Sequence, residues 1–128
     1  MKPEWKAAIA AGDTVAIRQL IDAGMDVDAR DRYGQTGLML AAHAGEREVV
    51  EMLIEHGARL DVTAKFNLSA LMLAVIAGHE EVAGVLARAG ADLSLRGSGA
   101  PGFAGLTASD LAARRGLRAL ADELGSRS

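Results

Sequence analysis

The chain has 128 residues, half of them hydrophobic and only four aromatic, and a formal net charge of −3. That length suits one ordinary domain with a shared core, and the near-neutral balance gives no overall pull toward nucleic acid or membrane. With no cysteine, disulfides, thiolate nucleophiles and cysteine-ligated zinc are excluded.

The N-terminal stretch MKPEWKAAIAAGD lacks the uninterrupted apolar run of a secretory signal. No apolar segment approaches the length of a membrane span. The expectation is a soluble, cytoplasmic protein whose core is built mainly from Ala, Leu, Val, Ile and Met.

Taken in chain order, the elements repeat. The segments 8-AIAAGDTVAIRQLIDAGMDVDAR-30, 41-AAHAGEREVVEMLIEHGARLDVT-63 and 74-AVIAGHEEVAGVLARAGADLSLR-96 align at an offset of 33 residues. Gly12, Gly45 and Gly78 form one column, Gly24, Gly57 and Gly90 a second, and Leu20, Leu53 and Leu86 a third. Ala16, Val49 and Val82 fill one apolar column, and Ile17, Val50 and Ala83 fill the next. In the first unit Trp5 falls in the column of Leu38 and Leu71, which predicts a partly buried indole.

The second unit shows the local logic. Thr36 stands where an N-cap accepts a backbone N–H, and Leu38, Leu40 and Ala41 mark one face of a short helix. Gly45 ends it, as glycine does at a C′ position. A second helix is predicted from about Glu46 to Glu55, with Val49, Val50, Leu53 and Ile54 as its apolar stripe. Gly57 ends that helix, and the polar stretch ARLDVTAKFN reads as an extended turn. The third unit repeats this pattern from Ser69 to Gly90. In the turn after Gly24, Asp26 and Asp28 are expected to bond the local backbone. With Asp31 and Gly34 they have the wrong spacing for an EF-hand calcium loop.

A fourth unit follows at an offset of 38. Thr107 falls under Ser69, Ala112 under Ala74 and Gly116 under Gly78, so five extra residues lie between Arg96 and Gly105. They include Gly97, Gly99 and Gly102, spaced as G-x-G-x-x-G. A dinucleotide loop needs a core strand before it and a helix beginning inside the glycines. Here Pro101 and Gly102 interrupt any such helix, and Thr107 is the expected cap of the real one. The glycine stretch therefore reads as a lengthened turn, and no cofactor is expected. Polar substitutions in the first and last units, Lys6 for Met39 and Ser109 and Asp110 for Leu71 and Met72, suit the water-facing ends of a stack.

The sequence resembles the ankyrin repeat family. The resemblance rests on the 33-residue period, D-x-x-G-x-T at Asp31, Gly34 and Thr36, L-x-L-A-A at Leu38 to Ala42, and G-A-x-x-D at Gly57 to Asp61. It departs where the family's T-P-L-H reads T-G-L-M at Thr36 to Met39 and S-A-L-M at Ser69 to Met72, which is expected to weaken that turn. The resemblance implies an all-α solenoid of helix-turn-helix units joined by long hairpin-like turns. Residues 1–125 are expected to form a single domain with units at about 1–30, 31–63, 64–101 and 102–125, followed by a polar tail at 126–128.

His43, His56 and His79 share no helix face at i, i+4 and form no H-E-x-x-H, so neither metal ligation nor catalysis is expected. Met39 and Met72 are expected to fill core space. The resemblance implies a concave partner surface made of turn tips and the exposed face of the first helices. By register that surface carries Arg30, Arg32, Tyr33, Gln35 and His43, then Lys65, Phe66, Leu68 and Ile76, then Arg96, Phe103, Arg114 and Arg115. Six of these are Lys or Arg and none is acidic, whereas the second helices carry Glu46, Glu48, Glu51, Glu55, Glu80 and Glu81. Arginine and aromatic residues are the groups enriched in interface hot spots.

The expected function is non-catalytic binding of a protein partner, with an acidic segment seated on that surface, by a chain that is a monomer on its own. The competing readings are a regulatory or inhibitory subunit of an enzyme, and nucleic-acid binding through the cationic tips. In a blander reading still, Phe66 and Leu68 pack under neighbouring turns and the arginines are merely solvated.

Overall fold

The computed structural model describes residues 1–99 and 102–127. Pro101, read above as a helix interruption, and Ser128 of the tail lie outside the described residues. Among the described residues there are eight α-helices: α1 Pro3–Ala11, α2 Thr14–Asp22, α3 Gly37–Ala44, α4 Arg47–Glu55, α5 Ala70–Ala77, α6 Glu80–Arg88, α7 Ala108–Arg114 and α8 Arg118–Arg127. They contain no strand, only two isolated bridges, Arg30 with Thr36 and Gly97 with Ala104.

Several helices begin and end where local chemistry dictates. Thr36 Oγ1 accepts from the Met39 N–H at 3.2 Å, and Ser69 Oγ accepts from the Met72 N–H at 3.3 Å. Thr107 and Asp110 form a reciprocal capping box, at 3.2 Å and 3.0 Å. The first helices of the first three units end on left-handed glycines, Gly12, Gly45 and Gly78. The last helix runs through Arg127, where an ion pair with Glu123 spans one turn. Residues 126 and 127 are thus helical rather than a tail.

The helices pack as two layers. Within each consecutive pair the two helices touch; α1, α3, α5 and α7 contact one another in order, and α2, α4, α6 and α8 do likewise. The shared core lies between the layers and contains the columns read from the sequence, including Val49, Val50, Leu53, Val82, Ala83 and Leu86. Met39 and Met72 are each 1 % exposed and belong to it. Small Ala41, Ala42 and Ala74 on the first helices let neighbouring helices approach closely. Trp5 is 0 % exposed rather than partly buried, because α1 packs it against Gly37 at the start of α3.

Neighbouring units are also joined by polar ties. Asp28 Oδ1 accepts from the Arg59 N–H at 2.9 Å, and Asp61 Oδ1 from the Asp92 N–H at 2.7 Å. Asp26 does bond its local backbone, accepting from the Asp28 N–H. Asp28 does not: its carboxylate reaches the next turn instead. His79 Nε2 lies 3.1 Å from the His43 carbonyl oxygen. Its ring covers Gly45, where a Cβ would lie 2.7 Å from it. His56 Nδ1 lies 2.8 Å from the carbonyl oxygen of Met52 at the end of α4, so both histidines are engaged with helix C-termini.

Candidate interaction surface

Three turns share one closure. The backbone N–H of Asp31 donates to the Gln35 carbonyl, that of Ala64 to Leu68, and that of Gly97 to Leu106. The first two turns span five residues and the third spans ten, so the five-residue insertion sits inside an otherwise equivalent hairpin. Gly97 is required there by close approach. A Cβ at this position would lie 2.4 Å from the Phe103 carbonyl oxygen, a fixed backbone atom.

The tip of the first of these turns is held by Asp31. Its Oδ1 accepts from the N–H groups of Tyr33 and Gln35, both at 2.9 Å, and Lys6 Nζ lies 3.3 Å from Oδ2. Burial pushes the carboxyl upward, but the Gln35 and Tyr33 hydrogen bonds and the Lys6 ammonium outweigh it, so its pKa lies below the ordinary value. Only 5 % of that side chain is exposed, and its Oδ1 is turned onto the Tyr33 and Gln35 N–H groups.

The second tip has Ala64 in place of Asp31 and is fastened differently. Lys65–Asn67 form a 3-10 turn in which Phe66 and Asn67 take left-handed backbone angles, φ 61° and 58°. For a bulky residue such as Phe66 this conformation costs on the order of 1–2 kcal/mol. The insertion offsets it. Ser98 N–H donates to the Phe66 carbonyl at 2.7 Å, and Asn67 Nδ2 donates to the Arg96 carbonyl at 2.9 Å. The Phe103 ring then meets the Phe66 ring at a centroid distance of 5.7 Å and a tilt of 41°.

Between these tips and the first helices lies an apolar cavity of about 270 Å³. It is lined by Gln35 and His43, by Ala64, Lys65, Phe66 and Leu68 of the second tip, by Leu73 and Ile76 of α5, and by Phe103. Seven of the residues expected on the partner surface thus meet in one place: Gln35, His43, Lys65, Phe66, Leu68, Ile76 and Phe103. No lining residue is acidic, and Lys65 Nζ stands 4.9 Å above the Phe66 ring. Leu68 departs from the exposure expected of it: at 6 % exposed it is floor, held under the tip beside Ser69. Ala64 and Leu73 line the cavity and were not anticipated. Leu73 was legible, since it precedes Ile76 by three positions and so shares its helix face.

The other expected residues lie outside the cavity. Tyr33 is 60 % exposed with Arg32 stacked over it at 5.0 Å. Arg30 is exposed beside Gly34. Arg96 donates to the Gly105 carbonyl at 2.7 Å, and Arg114 approaches the Gly102 carbonyl at 3.4 Å. Both hold the inserted loop. Arg115 folds over Gly78 at the end of α5. The glutamates lie across the second helices, where Arg47 is paired with Glu51 and Glu81. Among the described residues no group of three or more His, Asp or Glu is gathered to hold a metal ion, and no helix is long and apolar enough to cross a membrane.

A family model described as ankyrin repeats (3 copies) matches residues 5–97. No curated protein matches the chain.

Proposed function

The chain belongs to the ankyrin repeat family, whose repeats generally mediate protein–protein interaction, and from that premise we propose that it is a non-catalytic module binding an acidic segment of a protein partner. The segment lies on the surface formed by the turn tips and the first helices. The observation carrying this reading is the acid-free apolar cavity with Lys65 at its rim and the Arg32–Tyr33 pair on the adjacent tip. Exposed apolar groups rimmed by polar ones mark interaction sites, and an extended acidic chain complements those cations. The proposal includes a monomer acting in the cytoplasm as one domain with the unit boundaries read from the sequence. Nucleic acid is the poorer ligand, because the chain is acidic overall, with a net charge of −3, and the cationic footprint at the tips is small.

The test is capture of partners by the wild type and by the double variant Arg32→Glu/Lys65→Glu. Both side chains are exposed at tips, so the variant is expected to melt within a degree or two of the wild type and to lose the partner. A partner retained equally by both proteins refutes the placement on this surface.

A further inference from the structure

We propose that the cavity lined by Phe66, Ile76 and Phe103 receives one bulky apolar side chain of the bound acidic segment, and that Ser98 and Phe103 of the lengthened turn thereby set sequence preference. The inference rests on the reading above, and deepens it from an acidic segment to an acidic segment bearing one leucine-, isoleucine- or phenylalanine-sized residue.

Three observations carry it. The first is size and chemistry. About 270 Å³ lined by Phe66, Leu68, Leu73, Ile76 and Phe103 lies at the small end of binding sites, and it has room for a bulky apolar side chain. The second is charge. With no acidic lining residue, and with Lys65 Nζ over the Phe66 ring, a carboxylate flanking the inserted residue meets a cation and no repulsion. The third is construction. Phe66 is held at φ 61° by a bond from Ser98 and by the Phe103 ring. Backbone strain of this kind persists where surrounding structure over-determines it, and it clusters at ligand clamps. The insertion is thus what turns a plain turn tip into a walled pocket.

The probes are immobilised twelve-residue peptides rich in Asp and Glu, identical except for a central Leu, Ile, Phe, Ala, Ser or Lys. A matching set carries Lys in place of the acids. Three proteins are compared: wild type, Phe103→Ala, which removes a lining ring, and His43→Trp, which adds bulk to the lining from an exposed position. Thermal melts of all three verify folding. The wild type is expected to hold the Leu, Ile or Phe acidic peptides at least about tenfold more tightly than the Ala peptide. Both variants are expected to hold every acidic peptide at the level of the Ala peptide. Acidic peptides held equally whatever the central residue overturn the pocket and leave the acidic-segment reading standing. A central preference that is the same in Lys-rich peptides supports the pocket and overturns the acidic reading. Retention of no peptide in either set overturns both.

Discussion

The α-carbon of Gly37 lies so close to Trp5 that a Cβ on it would stand 3.2 Å from the indole Nε1 and 2.6 Å from Cδ1 of Ile9. The family pattern has proline at this position, and its loss was expected to weaken the turn. The contact gives glycine a positive reason: the end of the Ile9 side chain, with the indole of Trp5 beside it, occupies the space that a larger residue would need. Trp5 Nε1 is buried without a hydrogen-bond partner, so its place in the core is held by packing alone.

Gly37→Pro is accordingly expected to destabilise the protein by about 1–3 kcal/mol, as overpacking does, although proline suits the first position of a helix. In an Ile9→Val background, which removes the Cδ1 atom, the same change is expected to be much less harmful. Urea denaturation followed by far-UV circular dichroism would give the four corners of this cycle. Strictly additive effects would sink the explanation, since residues in contact couple and distant ones do not.

Asp28→Ala and Asp61→Ala each remove an acceptor that ties one turn to the next. Each is expected to cost about 1 kcal/mol. Arg59→Ala should cost under about 0.5 kcal/mol, because its side chain is 80 % exposed and its ion pair with Asp28 is long, at 3.9 Å. It is the Arg59 backbone, not its charge, that Asp28 needs. Stability in such stacks is a sum over units and their interfaces, so a variant carrying both Asp28→Ala and Asp61→Ala is also expected to unfold over a broader urea range. An Arg59→Ala loss as large as that of Asp28→Ala would reverse the assignment.

Asp31 links folding to pH. Its folded pKa lies below the ordinary carboxylate value despite the opposing effect of burial, through the bonds from Gln35 and Tyr33 and the Lys6 charge. Its contribution is therefore complete above the unfolded pKa of about 3.9 and is lost as pH falls through the lowered folded value. The gap in urea midpoint between wild type and Asp31→Asn is expected to be greatest at neutral pH and to shrink through the acid range. A gap independent of pH would mean that the carboxylate charge does not matter there.

Gly97→Ala forces a Cβ against the Phe103 carbonyl. The inserted turn is expected to shift, and the nuclear Overhauser contacts between the Phe66 and Phe103 rings to disappear. Helix content should be unchanged, since no helix includes Gly97. Ring contacts that persist in the variant would show that the turn accommodates the methyl group.

Much of this architecture was legible because its signals are local. The Thr36, Ser69 and Thr107 caps and the glycine that ends α3 each act within a turn or two of chain. A fixed 33-residue offset then places the apolar columns that form the core. The surface was legible only as a register. Tyr33 and Phe66 occupy equivalent positions, yet one projects into solvent and the other walls a cavity. Their difference comes from Phe103 and Ser98, more than thirty residues further along. Leu68 likewise looked exposed by register and is buried, because the equivalence of turn positions says nothing about what the next turn lays over them.

By itself, the sequence determined the helix pairs, their ends, the apolar columns and the separation of arginine-rich tips from glutamate-rich second helices. Those depend on residue type and short spacing, which the chain carries wherever it is placed. Tertiary structure alone decided which residues meet across units: Trp5 against Gly37, Asp28 on the Arg59 backbone, and Phe103 on Phe66. Such pairs join residues 31 to 37 positions apart, and their geometry follows from how neighbouring units stack. The insertion shows the limit most clearly. Its glycines follow a familiar spacing, but Gly97 is there because the Phe103 backbone passes too close for any side chain.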